Sequence, residues 1–231
     1  MEENRFFRFV WRFNGIILMI VGILAIGVLA FAGYQFYAEF TRDRVISNVV
    51  NIEKNSEVEE DWQLGYMREV QGTPYIAIPL NSEQSYARSS YGSKSSSSPR
   101  NYLFINSTTN EQYWLFNQNT FLISNTKMLY GPEGDNKEKK VQAILYQIIK
   151  EDTNKDNRLT KNDSETIAIS QYDGRGYKEL IEGIDRIIGH RAVNDNTLLI
   201  IYQKKGIGYS AHVRLSDFTL QNERELPKVT P

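Results

Sequence analysis

Apolar and polar positions divide this chain into one long apolar block and a succession of short ones. From Asn14 to Tyr37, NGIILMIVGILAIGVLAFAGYQFY, no residue carries a formal charge. At about 1.5 Å of rise per residue, the strictly apolar part from Gly15 to Gly33 covers roughly 28 Å, close to the hydrocarbon thickness of a bilayer. A buried core helix would show a polar stripe at helical spacing, and this block has none before Gln35. The pattern predicts one transmembrane helix over residues 14–37. The run is longer than the apolar core of a secretory signal, so an anchor that is kept, not cleaved, is expected.

After residue 38 the apolar blocks shrink to strand length. Residues 38–61 read as a linker, because Glu53 to Asp61 is a strongly acidic stretch. Strand patterns follow at Tyr75–Leu80, Tyr102–Asn106, Gln112–Phe116, Phe121–Ser124 and Val141–Lys150. Further ones fall at Thr166–Ser170, Tyr177–Ile181, Asp185–Val193, Thr197–Gln203 and Ile207–Leu215. Asp173-Gly174 supplies the positive φ of a tight turn, and Ser-Thr-Thr-Asn-Glu at 107–111 joins the clearest hairpin. Between them Asn81–Arg100, NSEQSYARSSYGSKSSSSPR, is low-complexity and predicts a surface loop in which Arg88, Lys94 and Arg100 alternate with Tyr86 and Tyr91. Residues 221–231 are polar with two prolines and read as a tail. The fold class expected is mainly β: an N-terminal transmembrane α-helix, then an antiparallel β-meander over residues 62–220, built as a blade-like open sheet or a sandwich. The segments IAISQYDGRGYKELIEGI and NYLFINSTTNEQYWLF resemble strand-turn-strand units of the Tol-Pal-type periplasmic propellers and of WD-like repeats. That resemblance implies four-stranded blades, of which the available β pattern makes two or three, too few to close a ring.

Charge adds a direction. Arg5, Arg8 and Arg12 precede the apolar block, whereas Arg42 and Arg44 follow it beside Glu39 and Asp43. This slight positive bias favours a cytoplasmic N-terminus, with residues 1–13 interfacial and the β region in the periplasm of a bacterial inner membrane. Trp11 at one end and Tyr34, Phe36 and Tyr37 at the other suit the interfacial aromatic belts. Within the block, Gly15, Gly22, Ala25 and Ala32 fall along one helical face, where small residues let a partner helix approach closely. Overall, 27 basic and 28 acidic residues give a formal charge of −1, so no global field recruits nucleic acid. The partners expected are the bilayer and other membrane proteins. The absence of cysteine removes disulfides, thiol catalysis and cysteine-ligated zinc together.

The most specific chemistry lies in Asp152-Thr-Asn-Lys-Asp-Asn-Arg-Leu-Thr-Lys-Asn-Asp163. Oxygen side chains at Asp152, Asn154 and Asp156, a backbone carbonyl at Arg158 and a carboxylate at Asp163 have the spacing with which a tight loop turns alternate residues onto one Ca²⁺ ion. The stretch resembles the calcium loops of EF-hands and, more closely, of dockerin repeats, and that resemblance implies one structural calcium. It departs at Asn157, where those loops usually have Gly, and at Asp163, where an EF-hand has Glu. Lys155, Arg158 and Lys161 offset the acidic charge, and an acidic turn without an ion is the alternative reading. Enzyme motifs are missing: no G-x-S-x-G, H-E-x-x-H or P-loop occurs, and His190 and His212 have no carboxylate at ligand spacing. The expectation is therefore a membrane-anchored accessory or scaffold subunit of an envelope complex, not an enzyme. The alternative is a ligand- or glycan-binding sensor module.

Overall fold

The computed structural model of the protein describes residues 5–40, 46–52, 58–86, 94–131 and 140–228. The tip of the serine-rich segment, the polar turn at 132–139, and residues 53–57 of the acidic stretch lie outside the described residues. The chain forms two units, residues 1–44 with 88–93, and residues 45–87 with 94–231.

The first unit contains α1 (Arg5–Phe40), a helix of 36 residues with neither glycine-driven break nor proline. Of these, Phe7–Tyr37 is long and apolar enough to cross a membrane, and none of that span is buried against protein. At about 1.5 Å per residue its 31 residues reach about 46 Å, enough for the hydrocarbon layer and both interfaces. The helix begins nine residues before the apolar block, because the Arg5–Phe13 stretch continues the same helical turn pattern; Phe9 and Phe13, one turn apart, stack at 6.2 Å.

The second unit is mainly β, in sheets that are antiparallel except for the short parallel pairing of β1 with β6. In chain order the strands are β1 (Ile46–Ser47), β2 (Val49–Asn51), β3 (Val58–Leu64), β4 (Arg68–Glu69), β5 (Tyr75–Tyr86), β6 (Lys94–Asn106) and β7 (Gln112–Trp114). They continue with β8 (Leu122–Tyr130), β9 (Val141–Ile149), β10 (Arg158–Thr160), β11 (Glu165–Gln171) and β12 (Lys178–Ile184). The last are β13 (Arg186–Asn194), β14 (Thr197–Lys204), β15 (Ile207–Arg214) and β16 (Thr219–Glu225). Three blade-like sheets result. The first has the order β1-β6-β5-β3 with β4 on β5 and β7 on β6; the second is β12-β11-β9-β8; the third is β13-β14-β15-β16. A short ribbon of β2 and β10 stands apart.

Alternation in β9 explains how the sheets stack. Ile144, Tyr146 and Ile148 join Tyr75, Ala77, Tyr102 and Phe104 of the first sheet in one core. Ala143 and Leu145, pointing the other way, join Ile167 and Ile169 with Leu198, Ile200, Tyr202 and Val213 of the third sheet in another. The second sheet is therefore covered on both faces, and in β11 six successive residues, Glu165 to Ser170, are buried. The ribbon closes one end through Val50, Leu122, Ile149 and Leu159.

Three boundaries differ from the sequence pattern. The β unit begins within the stretch read as a linker, since β1, β2 and most of β3 precede Trp62; β2 is held there by the side chains of Ser98 and Gln84. The serine-rich segment is no loop over most of its length. Its serines carry β5 to Tyr86 and start β6 at Lys94, and Ser82 and Ser98 are fully buried. Ser98 Oγ accepts from Val49 N–H and donates to Val49 C=O, both at 3.0 Å, so a hydroxyl replaces a missing strand partner. Finally, β16 pairs with β15 from Thr219 to Glu225 and so runs into the expected tail, which begins at residue 221.

The turn between β11 and β12 tests this packing. Gly174 has φ of +85°, its N–H donates to Gln171 C=O at 2.9 Å, and an added Cβ would run into the Phe104 ring. Gly206, at φ of +76°, faces open space. Gly174→Ala should cost about 2–4 kcal/mol in denaturant unfolding, against about 1 kcal/mol for Gly206→Ala. Equal costs would show that Phe104 does not close on the turn.

Candidate interaction face and acidic loop

Because β5 and β6 turn Tyr75, Ala77, Tyr102 and Phe104 inward, the alternate residues face away from the second sheet. Strand register places them side by side: Ile76 opposite Ile105, Ile78 opposite Leu103, Leu103 opposite Trp114, and Leu80 opposite Leu64. The outer face of the first sheet thus gathers seven large apolar side chains, interrupted by Glu69 opposite Ile76, Gln112 opposite Ile105 and Asn101 opposite Leu80. Leu64 is 54% exposed and Trp114 42%, and beside them Tyr66 and Met67 project from the β3–β4 connection. Ile76, Ile78, Leu80, Leu103 and Ile105 are half-buried, and at the Leu80 end Asn101 is buried under the 116–119 segment, to which its amide is hydrogen-bonded.

At the far end of the sheet, Arg100 is only 6% exposed and fully used. Its guanidinium donates to Phe121 C=O at 2.7 Å and Thr120 C=O at 3.1 Å, lies 3.4 Å from Glu60 and stacks 5.8 Å over Trp62. Burial pulls its pKa down and Glu60 opposes that pull. The arginine expected to project from a surface loop instead fastens the first sheet to the start of β8.

A cleft of about 180 Å³ opens between the first and second sheets, lined by Ala77, Tyr102, Phe104, Met128, Ile144 and Tyr146 with Arg68 and Glu69 also contributing. Thr126 Oγ1, also in its wall, is buried without a hydrogen-bond partner. The Tyr146 hydroxyl is tied to Ser170 Oγ at 2.9 Å. His190 is exposed and lies opposite Ile200, and His212 lies opposite Leu199, so register puts the two histidines on opposite faces of the third sheet.

The acidic loop joins β9 to β10 and β11. Asp152 accepts from Asp156 N–H at 3.1 Å and Asn157 N–H at 2.8 Å; Asn154 accepts from Asp156 N–H at 2.9 Å; Asp156 accepts from Arg158 N–H at 3.0 Å. Lys155 and Asn157 take left-handed φ values of +62° and +63°. These three oxygen-bearing side chains share one tight turn. Arg158 opens β10, and the next residue, Leu159, is buried beneath it. Asp163 is placed otherwise. It is 2% exposed, and its carboxylate accepts from Thr153 N–H at 2.8 Å, Asn154 N–H at 3.2 Å and Thr160 N–H at 2.9 Å. Among the described residues no three Asp, Glu, His or Cys side chains gather as a group able to hold a metal ion.

No protein-family model matches the chain, and no curated protein matches it. Among solved structures it is similar to the β-propeller domain of the Trilobed protease from Pyrococcus furiosus, described as having an open velcro topology. The likeness has 16% identity and a TM-score of 0.37, and covers 72% of this chain and 43% of that one.

Asp163 closes the loop as a buried acceptor for three amides, whereas Asp156 is exposed. Asp163→Ala should therefore cost about 2–4 kcal/mol, the penalty for stranding buried donors, and Asp156→Ala under about 1 kcal/mol. Guanidinium melts of the two variants in chelator measure this; equal losses would remove the assigned role of Asp163.

Proposed function

We propose that this chain is a single-pass, membrane-anchored accessory or scaffold subunit of a bacterial envelope complex, with its N-terminus in the cytoplasm and its β unit in the periplasm. The observation that carries the reading is the outer apolar row of the first sheet, in which Leu64 and Trp114 are exposed and Ile76, Ile78, Leu80, Leu103 and Ile105 half-buried, on a chain that also has a helix of membrane length. A protein partner covers that face as the third sheet covers the second. Gly15, Gly22, Ala25 and Ala32 supply a second contact, through which α1 packs on a partner helix. The role is binding, not catalysis.

Co-purification from native membranes tests this. Ile78→Glu with Leu103→Glu puts two carboxylates into the contact and should reduce recovery of partners by tenfold or more, while the chain stays inserted. Gly22→Leu with Ala25→Leu should weaken recovery as well, and the same bulk at Val21 and Val28 should not. Unchanged recovery with the glutamate pair would sink the proposal. A reporter active only outside the cytoplasm, fused after Pro231, checks the orientation; activity of a cytoplasmic reporter instead would reverse it.

We also propose that the acidic loop binds one Ca²⁺ ion through Asp152, Asn154, Asp156, the Arg158 carbonyl and Asp163. The support is the left-handed turn at Asn157, the position where the family it resembles usually has Gly. The basic neighbours set an affinity in the extracellular range of about 10⁻⁴ to 10⁻³ M. At a calcium concentration of about 100 times the dissociation constant, the full chain in detergent should be stabilised by about 2.7 kcal/mol over the same sample in chelator. Asp156→Ala should abolish that shift; equal melting temperatures with and without calcium would overturn it.

A further inference from the structure

The outer face of the third sheet has the opposite chemistry to that of the first. Leu198, Ile200 and Tyr202 of β14 are buried inward, so Thr197, Leu199, Ile201 and Gln203 point out. Cross-strand register then sets Arg191 and His212 on either side of Leu199, Arg186 beside Gln203, Arg214 beside Thr197, and Arg224 beyond Ser210 in the row of Ile201. Four arginines therefore share one sheet face in a chain whose formal charge is −1. Among the described residues Asp217 pairs with one of them, gripping Arg214 through two hydrogen bonds of 2.9 and 2.7 Å. Arg186 donates to Gln203 Oε1 at 3.1 Å, and neither it, Arg191 nor Arg224 has a carboxylate within ion-pair distance among the described residues. On the edge strand β13 a register shift between Ile187 and Gly189 leaves Ile188 outside the pairing, 54% exposed, and Val193 is 51% exposed.

We propose that this face docks on the anionic phospholipid headgroups of the membrane that anchors the chain. Arginines bind phosphate in a fixed fork geometry, and a flat sheet can present several of them to one lipid surface at once. Exposed Ile188 and Val193 suit the boundary between headgroups and acyl chains. The anchor keeps lipid at high effective concentration, so a weak face suffices. The inference rests on the membrane-anchored reading.

The chain has no cysteine, so a single Gln221→Cys carries a fluorophore cleanly on this face. The full-length protein is reconstituted into vesicles of phosphatidylcholine alone, or of phosphatidylcholine with phosphatidylglycerol, each with a headgroup-nitroxide lipid as quencher. Quenching should be strong in the anionic vesicles, weak in the neutral ones, and lost at high salt. Arg186→Gln, Arg191→Gln and Arg224→Gln should each lower the docking equilibrium constant about fivefold, and the corresponding lysine changes much less. Equal quenching in both vesicle types, or a triple glutamine variant that docks as the parent does and melts as it does, would overturn the proposal. Insertion is scored first by carbonate-resistant co-flotation. A chain that does not insert overturns the anchor together with the docking, whereas an inserted chain without quenching overturns the docking alone.

Discussion

The β unit depends on burying both faces of its second sheet. Ile144, Tyr146 and Ile148 on one side and Leu145, Ile167 and Ile169 on the other leave the β9–β11 pair with no face toward water. Apolar burial of this kind contributes about 25 cal/mol per Å², and a single large-to-small change in such a site costs about 2–5 kcal/mol. The first and third sheets are held by that one layer, each through a single inner face. Register errors in β9 or β11 would turn one core into the other, so pairing here is strongly specified.

A stack of three sheets has two ends, and the two end faces differ in chemistry. The first sheet ends the stack with branched aliphatics and a tryptophan; the third ends it with arginines around Leu199 and Ile201. The two chemistries do not substitute for one another. Covering the first face removes apolar area from water, whereas covering the third exchanges solvated guanidinium groups for fixed anions. The polar side chains that are buried serve the fold: Arg100 satisfies two carbonyls and an acid at once, and Ser98 completes the backbone of β2. Their satisfied hydrogen bonds are why so polar a segment packs against apolar neighbours.

The acidic loop holds its oxygen-bearing side chains in two different settings that look alike in one dimension. Asp152, Asn154 and Asp156 stay at the exposed turn, while Asp163 is drawn inside to cap three amides. Carboxylate spacing alone does not separate an exposed carboxylate from a buried one, because both aim an oxygen into the loop. The separation comes from Leu159, whose burial with Val50 pulls the second half of the loop onto β2.

By itself the sequence determined whatever depends on local pattern. The uncharged run from Asn14 to Tyr37 was bound to be a long helix exposed along its length, since no polar stripe offers a second environment. The hairpin around residues 107–111, the Asp173-Gly174 turn and the strand at Val141–Ile149 followed from alternation and turn chemistry. Tertiary structure decided what depends on partners distant in the chain. Ser82 and Ser98 became strand residues because β2 needed their hydroxyls, and Arg100 went inside because Phe121 and Glu60 were there to receive it. The division of apolar residues between two cores and an outer face was likewise invisible in one dimension: Ile76, Ile78 and Leu103 have the composition of core residues, and strand register places them on the face turned away from the second sheet. The arginines at 186, 191, 214 and 224 are scattered over three strands, and antiparallel register alone brings them onto one surface.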